Sequence, residues 1–203
     1  ARLQNNGQTC IAAKRFIIQQ SIYKEFQAAL VAAVERLRVG NPAEADTQLS
    51  TLARADLAQT LRTQVQRAQA EGARLITPQM SAHIDKNDCY FAPQILADVS
   101  ADNVAAREEL FGGVFTLLPA KDEADALRLA NASPFGLGAS IWTADHNRAL
   151  RCAHRLDVGA VSINQILRSD ARLPFGGVKQ SGYGRELGAA GLLEFVNIKS
   201  ILC

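Results

Sequence analysis

Helical and extended apolar patterns alternate along this chain, separated by connections of a few residues, and that alternation leaves few architectures open. Phe26, Leu30, Val34 and Leu37 recur at helical spacing behind Ser21, a suitable cap, and Gly40-Asn41-Pro42 stops the run. Leu57, Leu61, Val65 and Ala68 repeat the pattern up to Gly72, and residues 73–76 follow as a short strand. An Ala/Leu helix over 122–130 closes at Asn131-Ala132-Ser133-Pro134. A strand over 138–143, a helix from the cap Asp145 to Leu156 and an apolar strand over 159–164 come next. Residues 194–202 alternate polar and apolar well enough to predict one last strand. Strand–helix–strand succession with short loops predicts a parallel α/β sheet covered by helices on both faces. No internal repeat or linker-like stretch interrupts 1–203, so a single domain is the economical expectation.

Composition narrows the function classes. Apolar residues make up 48% of the 203 residues and charged ones 21%, which is globular rather than disordered. A net charge of +2 argues against nucleic acid or an anionic membrane as partner. No apolar run approaches the roughly 20 residues of a membrane span. Cysteines stand at 10, 89, 152 and 203 with no CxxC pair, so neither a zinc site nor a thioredoxin motif can be built by spacing. Reduced thiols in a cytoplasmic setting are expected. The chain opens on Ala1 and a dense polar segment, which reads as the continuation of a longer protein.

Three segments could carry chemistry. In Gln4-Asn5-Asn6-Gly7-Gln8-Thr9-Cys10 a polar turn leads into a cysteine followed by Ile11-Ala12-Ala13, which predicts that Cys10 starts a short helix. Backbone N–H groups at such a start favour a thiolate and an oxyanion; an inert buried thiol is the competing reading. Glu108-Glu109-Leu110-Phe111-Gly112-Gly113 pairs acids with an aromatic and glycines, and taken alone suits a solvated helix end. Residues 174–188 hold five glycines, but their spacing is not G-x-G-x-x-G and no apolar strand directly precedes them.

Together and in this order, these segments resemble the catalytic half of the NAD(P)-dependent aldehyde dehydrogenase family. Asn6 to Cys10 resembles the nucleophile segment, and Glu109-Leu110-Phe111-Gly112 the segment whose Glu meets the nicotinamide ribose. Asn131 to Thr143, Val161-Ser162-Ile163-Asn164 and Pro174 to Gly188 resemble later family motifs. The resemblance spans nearly the whole chain. It implies an open, mostly parallel twisted sheet of α/β class, Cys10 as nucleophile, Glu109 and Phe111 on the cofactor (NAD or NADP), and Glu186 as a proton-relay candidate. It further implies that the dinucleotide-binding domain, the water-activating Glu and the oxyanion Asn are contributed from outside these residues. Gly113 stands where the family has Pro, and Asn197 where an acid is common.

Ser169-Asp170-Ala171-Arg172-Leu173, with Ala12 to Ile18, looks like bacterial succinate-semialdehyde dehydrogenases, which makes Ser169 and Arg172 the substrate-carboxylate candidates. Many such enzymes have Arg where Gln4 stands. The expected partners are a small aldehyde and further copies of the chain. A cofactor-independent thiol esterase and a non-catalytic assembly module are the alternative classes.

Overall fold

The computed structural model describes residues 1–80, 82–83 and 88–203, with the side chains of 82 and 83 outside the description. Two compact units are distinguishable, 1–132 and 133–203.

The first unit is built on strands β1 (Arg15–Gln19), β2 (Val39–Gly40), β3 (Arg74–Ile76), β4 (Ala82–His83), β5 (Gln94–Ala97) and β6 (Val114–Ala120). Helices α1 (Tyr23–Glu35), α2 (Ala55–Ala70), α3 (Val104–Arg107) and α4 (Glu123–Asn131) connect them. The main sheet has the order β1-β6-β5-β3, parallel except at the β3 edge, while β2 and β4 form a separate parallel pair.

Every strand at the centre alternates between two cores, because successive side chains point to opposite faces. Leu96, Val114 and Leu118 join Ala58, Leu61, Val65 and Ala68 of α2, with Ala126 and Leu129 of α4 alongside. Ile95, Phe115 and Leu117 join Tyr23 and Val34 of α1 on the other side. Helices therefore cover both faces, as the alternation predicted.

Only β3 of this sheet is anticipated by sequence spacing. The run Val114 to Ala120 is buried on both faces and carries no helical or two-residue period to betray it. The stripe on α2 begins at the buried Ala58 rather than Leu57.

Helix ends follow local chemistry. Asp122 accepts from the Asp125 N–H and starts α4, as expected. Gly72, at φ +98°, ends α2 in a Schellman arrangement: the Ala73 N–H reaches Ala68 O at 2.9 Å and the Gly72 N–H reaches Gln69 O at 3.0 Å. Ser21 does not cap α1; it lies in a 3-10 turn, Gln20–Ile22, that feeds the helix directly.

Tyr23 ties α1 to the sheet. Its buried hydroxyl accepts from the Asp98 N–H at 2.7 Å and faces Leu117 O at 3.4 Å. Burial holds its phenol above the usual value. Tyr23→Phe leaves the Asp98 N–H without its partner, and the expected loss is about 1–2 kcal/mol, read from a shift in urea midpoint. An unchanged midpoint would show that water replaces the hydroxyl without cost.

The second unit holds β7 (Phe135–Gly136), β8 (Gly138–Ile141), α5 (His146–Ala153), β9 (Ala160–Ile163), β10 (Val178–Lys179) and α6 (Gly188–Leu193). Strands β8 and β9 pair in parallel with α5 between them in sequence, and β10 pairs antiparallel with β7. Asp145 caps α5 by accepting from the Arg148 N–H.

The expected strand over 194–202 is not formed. After α6 the chain runs without strand pairing to Cys203, and Phe195, Ile198 and Leu202 stand 89%, 82% and 99% exposed. Alternation alone does not make a strand; the backbone needs a strand to pair with, and no described segment pairs with this one.

Candidate active site

Three consecutive residues before Cys10 have left-handed backbone: Asn5, Asn6 and Gly7, at φ 51°, 54° and 79°. Asparagine tolerates that region because its short amide can bond locally, as that of Asn5 does here. The Asn5 amide donates to Gln8 O, and the Gln8 N–H returns to Asn5 O at 2.9 Å. Asn6 is fastened to another stretch: its amide donates to Thr51 O at 3.2 Å and its oxygen accepts from the Ser50 N–H at 3.1 Å. The Gln8 side chain accepts from the Ala53 N–H at 3.0 Å. The polar lead-in is thus spent on holding the segment against residues 50–53.

Cys10 itself is exposed, at the tip of a turn closed by the Ala12 N–H on Thr9 O at 3.1 Å. It does not begin a helix, which corrects the sequence expectation. Strand β1 starts at Arg15, so the chain must enter the sheet within five residues of Cys10, and a helix has no room. The helix-end contribution to thiolate stability therefore falls away.

A lysine braces the turn instead. Lys14 Nζ donates to Thr9 O at 3.1 Å and Cys10 O at 2.8 Å, and pairs with Glu109 Oε1 at 2.7 Å. It also sits 5.6 Å from the centre of the Phe111 ring, within cation–π reach. Burial lowers the Lys14 pKa; the hydrogen bond and charge of Glu109 oppose this, Arg2 adds to it, and Cys10 weakly counters it.

The two neighbouring acids have separate fates. Glu108 turns to α2, where Gln64 donates to it at 3.1 Å and Arg67 pairs with it at 3.0 Å. The Gln64 bond leads in holding its carboxyl below the usual range. Glu109 turns to Lys14 with its side chain 41% exposed. The solvated-helix-end reading thus suits Glu108, and Glu109 belongs to the thiol segment.

Beneath this cluster lies Arg2, buried, donating to Gly7 O through Nη2. Its Nε and Nη1 meet no acceptor among the described residues. Burial lowers its pKa to about 10, against the pull of Glu109.

Cys10, Glu109 and Phe111 are therefore brought together around Lys14. Neither Lys14 nor Arg2 stands out from the sequence as a site residue. A base four residues after the candidate nucleophile was the available signal for Lys14; nothing local marks Arg2.

The other candidates lie in the second unit. Ser169 is exposed, and Arg172 is 87% exposed, gripping Asp170 through Nε at 2.9 Å and Nη2 at 2.6 Å. The Arg172 hydrogen bonds bring the Asp170 carboxyl down to about 2. Both partners are open to solvent, so screening leaves this pair little weight in stability. Glu186 is exposed, and its backbone exchanges hydrogen bonds with Phe175 at 2.7 and 2.8 Å. The Gly188 N–H donates to Ala171 O at 3.1 Å and ties the segment after Glu186 to the 169–172 loop.

Among the described residues no helix is long and apolar enough to cross a membrane. The family model described as aldehyde dehydrogenase family matches residues 1–201. The succinate semialdehyde dehydrogenase [NAD(P)+] Sad of Escherichia coli is 46% identical over 98% of this chain and 43% of its own length. A probable succinate-semialdehyde dehydrogenase [NADP(+)] of Synechocystis is 42% identical over 99% of this chain and 44% of its own. The solved succinate-semialdehyde dehydrogenase of Burkholderia pseudomallei superposes with a TM-score of 0.90 at 37% identity, covering 98% of this chain and 41% of that one. Betaine aldehyde dehydrogenase of Staphylococcus aureus, solved with NAD+, gives 0.87 at 33% identity, over 94% of this chain and 38% of that one. The chain thus spans less than half the length of these relatives. A match running from the polar turn before Cys10 almost to the last residue, with the fold repeated in solved members, places the chain in the aldehyde dehydrogenase family.

Proposed function

We propose that this chain supplies the nucleophile of an NAD(P)-dependent dehydrogenase that oxidises succinate semialdehyde to the acid. The observation that carries the reading is Cys10, exposed at the tip of an anchored turn, beside Lys14, Glu109 and Phe111. Attack of the Cys10 thiolate on the aldehyde carbon forms a C–S bond and moves the carbonyl electron pair onto oxygen. When bound, NAD(P) accepts the hydride that leaves this carbon. The carbon then remains on Cys10 as a thioester, and water releases it as the carboxylic acid. Glu109 offers a half-exposed carboxylate to a ribose diol, and Phe111 offers a flat apolar surface beside it, so both residues fit a nicotinamide riboside.

Ser169 and Arg172 are the residues proposed for the far carboxylate of the substrate, with Glu186 as the proton-relay candidate. Asp170 already holds two donors of Arg172, so a substrate carboxylate must displace it. That competition sets a modest expectation. An enzyme carrying this chain should prefer succinate semialdehyde over butanal by about tenfold in kcat/KM, measured as aldehyde-dependent reduction of NAD(P). Arg172→Ala should bring the ratio towards one by raising KM for the acidic aldehyde alone. Full discrimination by the variant would move the carboxylate site elsewhere. No aldehyde-dependent reduction of NAD(P) would overturn the reaction itself.

A further inference from the structure

We propose that Lys14 is a positioning residue, a single ammonium that fixes the Cys10 turn and the Glu109 carboxylate together. The inference rests on the reading of Cys10 as nucleophile and extends it to a residue which that reading does not need.

An ammonium has three N–H donors, and all three are used here: on Thr9 O, Cys10 O and Glu109 Oε1. Two of these acceptors are the carbonyls on either side of the Cys10 peptide unit, so the cation holds the nucleophile by its own backbone. The third belongs to a residue 95 positions later in the chain. The Lys14 side chain is only 17% exposed, so water screens these contacts weakly. A surface ion pair would look different, with both partners in solvent and backbone carbonyls uninvolved.

The charged groups around the turn are Lys14, Arg2 and Glu109, two cations against one anion. The local field at Cys10 is therefore set by how far Glu109 neutralises Lys14. Removing the cation and removing the anion should move the thiol's reactivity in opposite directions, which a purely structural brace would not do. Shape matters as well: a guanidinium spreads its donors in one plane, whereas the ammonium directs three from a single nitrogen.

The test uses iodoacetamide on the chain itself, with peptide mapping to follow each cysteine between pH 6 and pH 9. Cys203, exposed at the other end of the chain, is the internal reference. In Lys14→Met the Cys10-to-Cys203 rate ratio at pH 7.5 should fall about fivefold, and in Glu109→Gln it should rise about threefold. Lys14→Arg should recover only part of the loss. A ratio within twofold of wild type in Lys14→Met, with the fold intact by circular dichroism, would overturn the proposal. If Lys14→Met fails to fold, seen as fast labelling of the buried Cys152, Glu109→Gln decides the matter. An unchanged or lowered ratio there also overturns it. Wild-type Cys10 reacting no faster than Cys203 would sink the nucleophile reading alone, since the variant ratios still report on Lys14.

Discussion

Replacing Cys10 by alanine should cut turnover of an enzyme carrying this chain by about 10⁴-fold or more, without disturbing its fold. The side chain is exposed at the end of a turn, so its removal empties no cavity, and a stability change beyond about 0.5 kcal/mol is not expected. What disappears is the sulfur proposed to bond the aldehyde carbon, and with it the proposed hydride-transfer step and thioester. Cys10→Ser should do nearly as badly, because a hydroxyl is scarcely ionised near neutral pH. Steady-state reduction of NAD(P) with saturating aldehyde measures the loss. Turnover within tenfold of wild type would assign the nucleophile to another residue. Cys152 is buried and Cys89 half-buried, so neither is a ready substitute.

Gly7→Ala should be the most damaging small substitution in the first unit. Gly7 has φ +79°, where an L side chain costs about 1–2 kcal/mol. A Cβ there would also stand 2.5 Å from both the carbonyl carbon and oxygen of Gly112, and 2.9 Å from Arg2 Nη2. Two of these neighbours are backbone and cannot swing away. Relief requires the turn before Cys10 to part from the Glu109–Gly112 segment, adding about 1–3 kcal/mol. The total is about 2–5 kcal/mol, to be read from denaturant unfolding. Parting the segments also separates Lys14 from Glu109, so any preference of iodoacetamide for Cys10 should vanish with it. A loss under about 1 kcal/mol would mean that the two backbones do not pack as described.

How far the sequence discloses this molecule depends on where the deciding partner lies. Asp122 and Asp145 cap helices through N–H groups three residues on, so local chemistry identifies both. The stripe of α2 shows because one side of that helix faces solvent. The central strands β5 and β6 show nothing, since burial on both faces erases the contrast that makes a pattern. Residues 194–202 mislead in the other direction, with the right alternation and no strand partner among the described residues. The site divides similarly. Cys10, Glu109 and Phe111 sit in short motifs that resemble a family and can be read as strings. Lys14 matters only because folding brings β1 beside the segment that leads into β6, a meeting invisible in either string. Arg172 was legible as a residue, and the fold turns it to Asp170.

One sheet lying between two cores makes those cores separate compartments. Leu117 and Leu118 are joined by a peptide bond, yet one faces Tyr23 and Val34 while the other faces the helix of Leu61 and Val65. A void opened beneath one cannot be filled by movement beneath the other, because a hydrogen-bonded backbone stands between them. Substitutions at these adjacent positions should therefore add independently, while Leu118 and Leu61, 57 residues apart, share their losses. Evolutionary drift in this protein is thus free to repack one face of the sheet without permission from the other. The face carrying Tyr23 and the face carrying α2 can age at different rates within one fold.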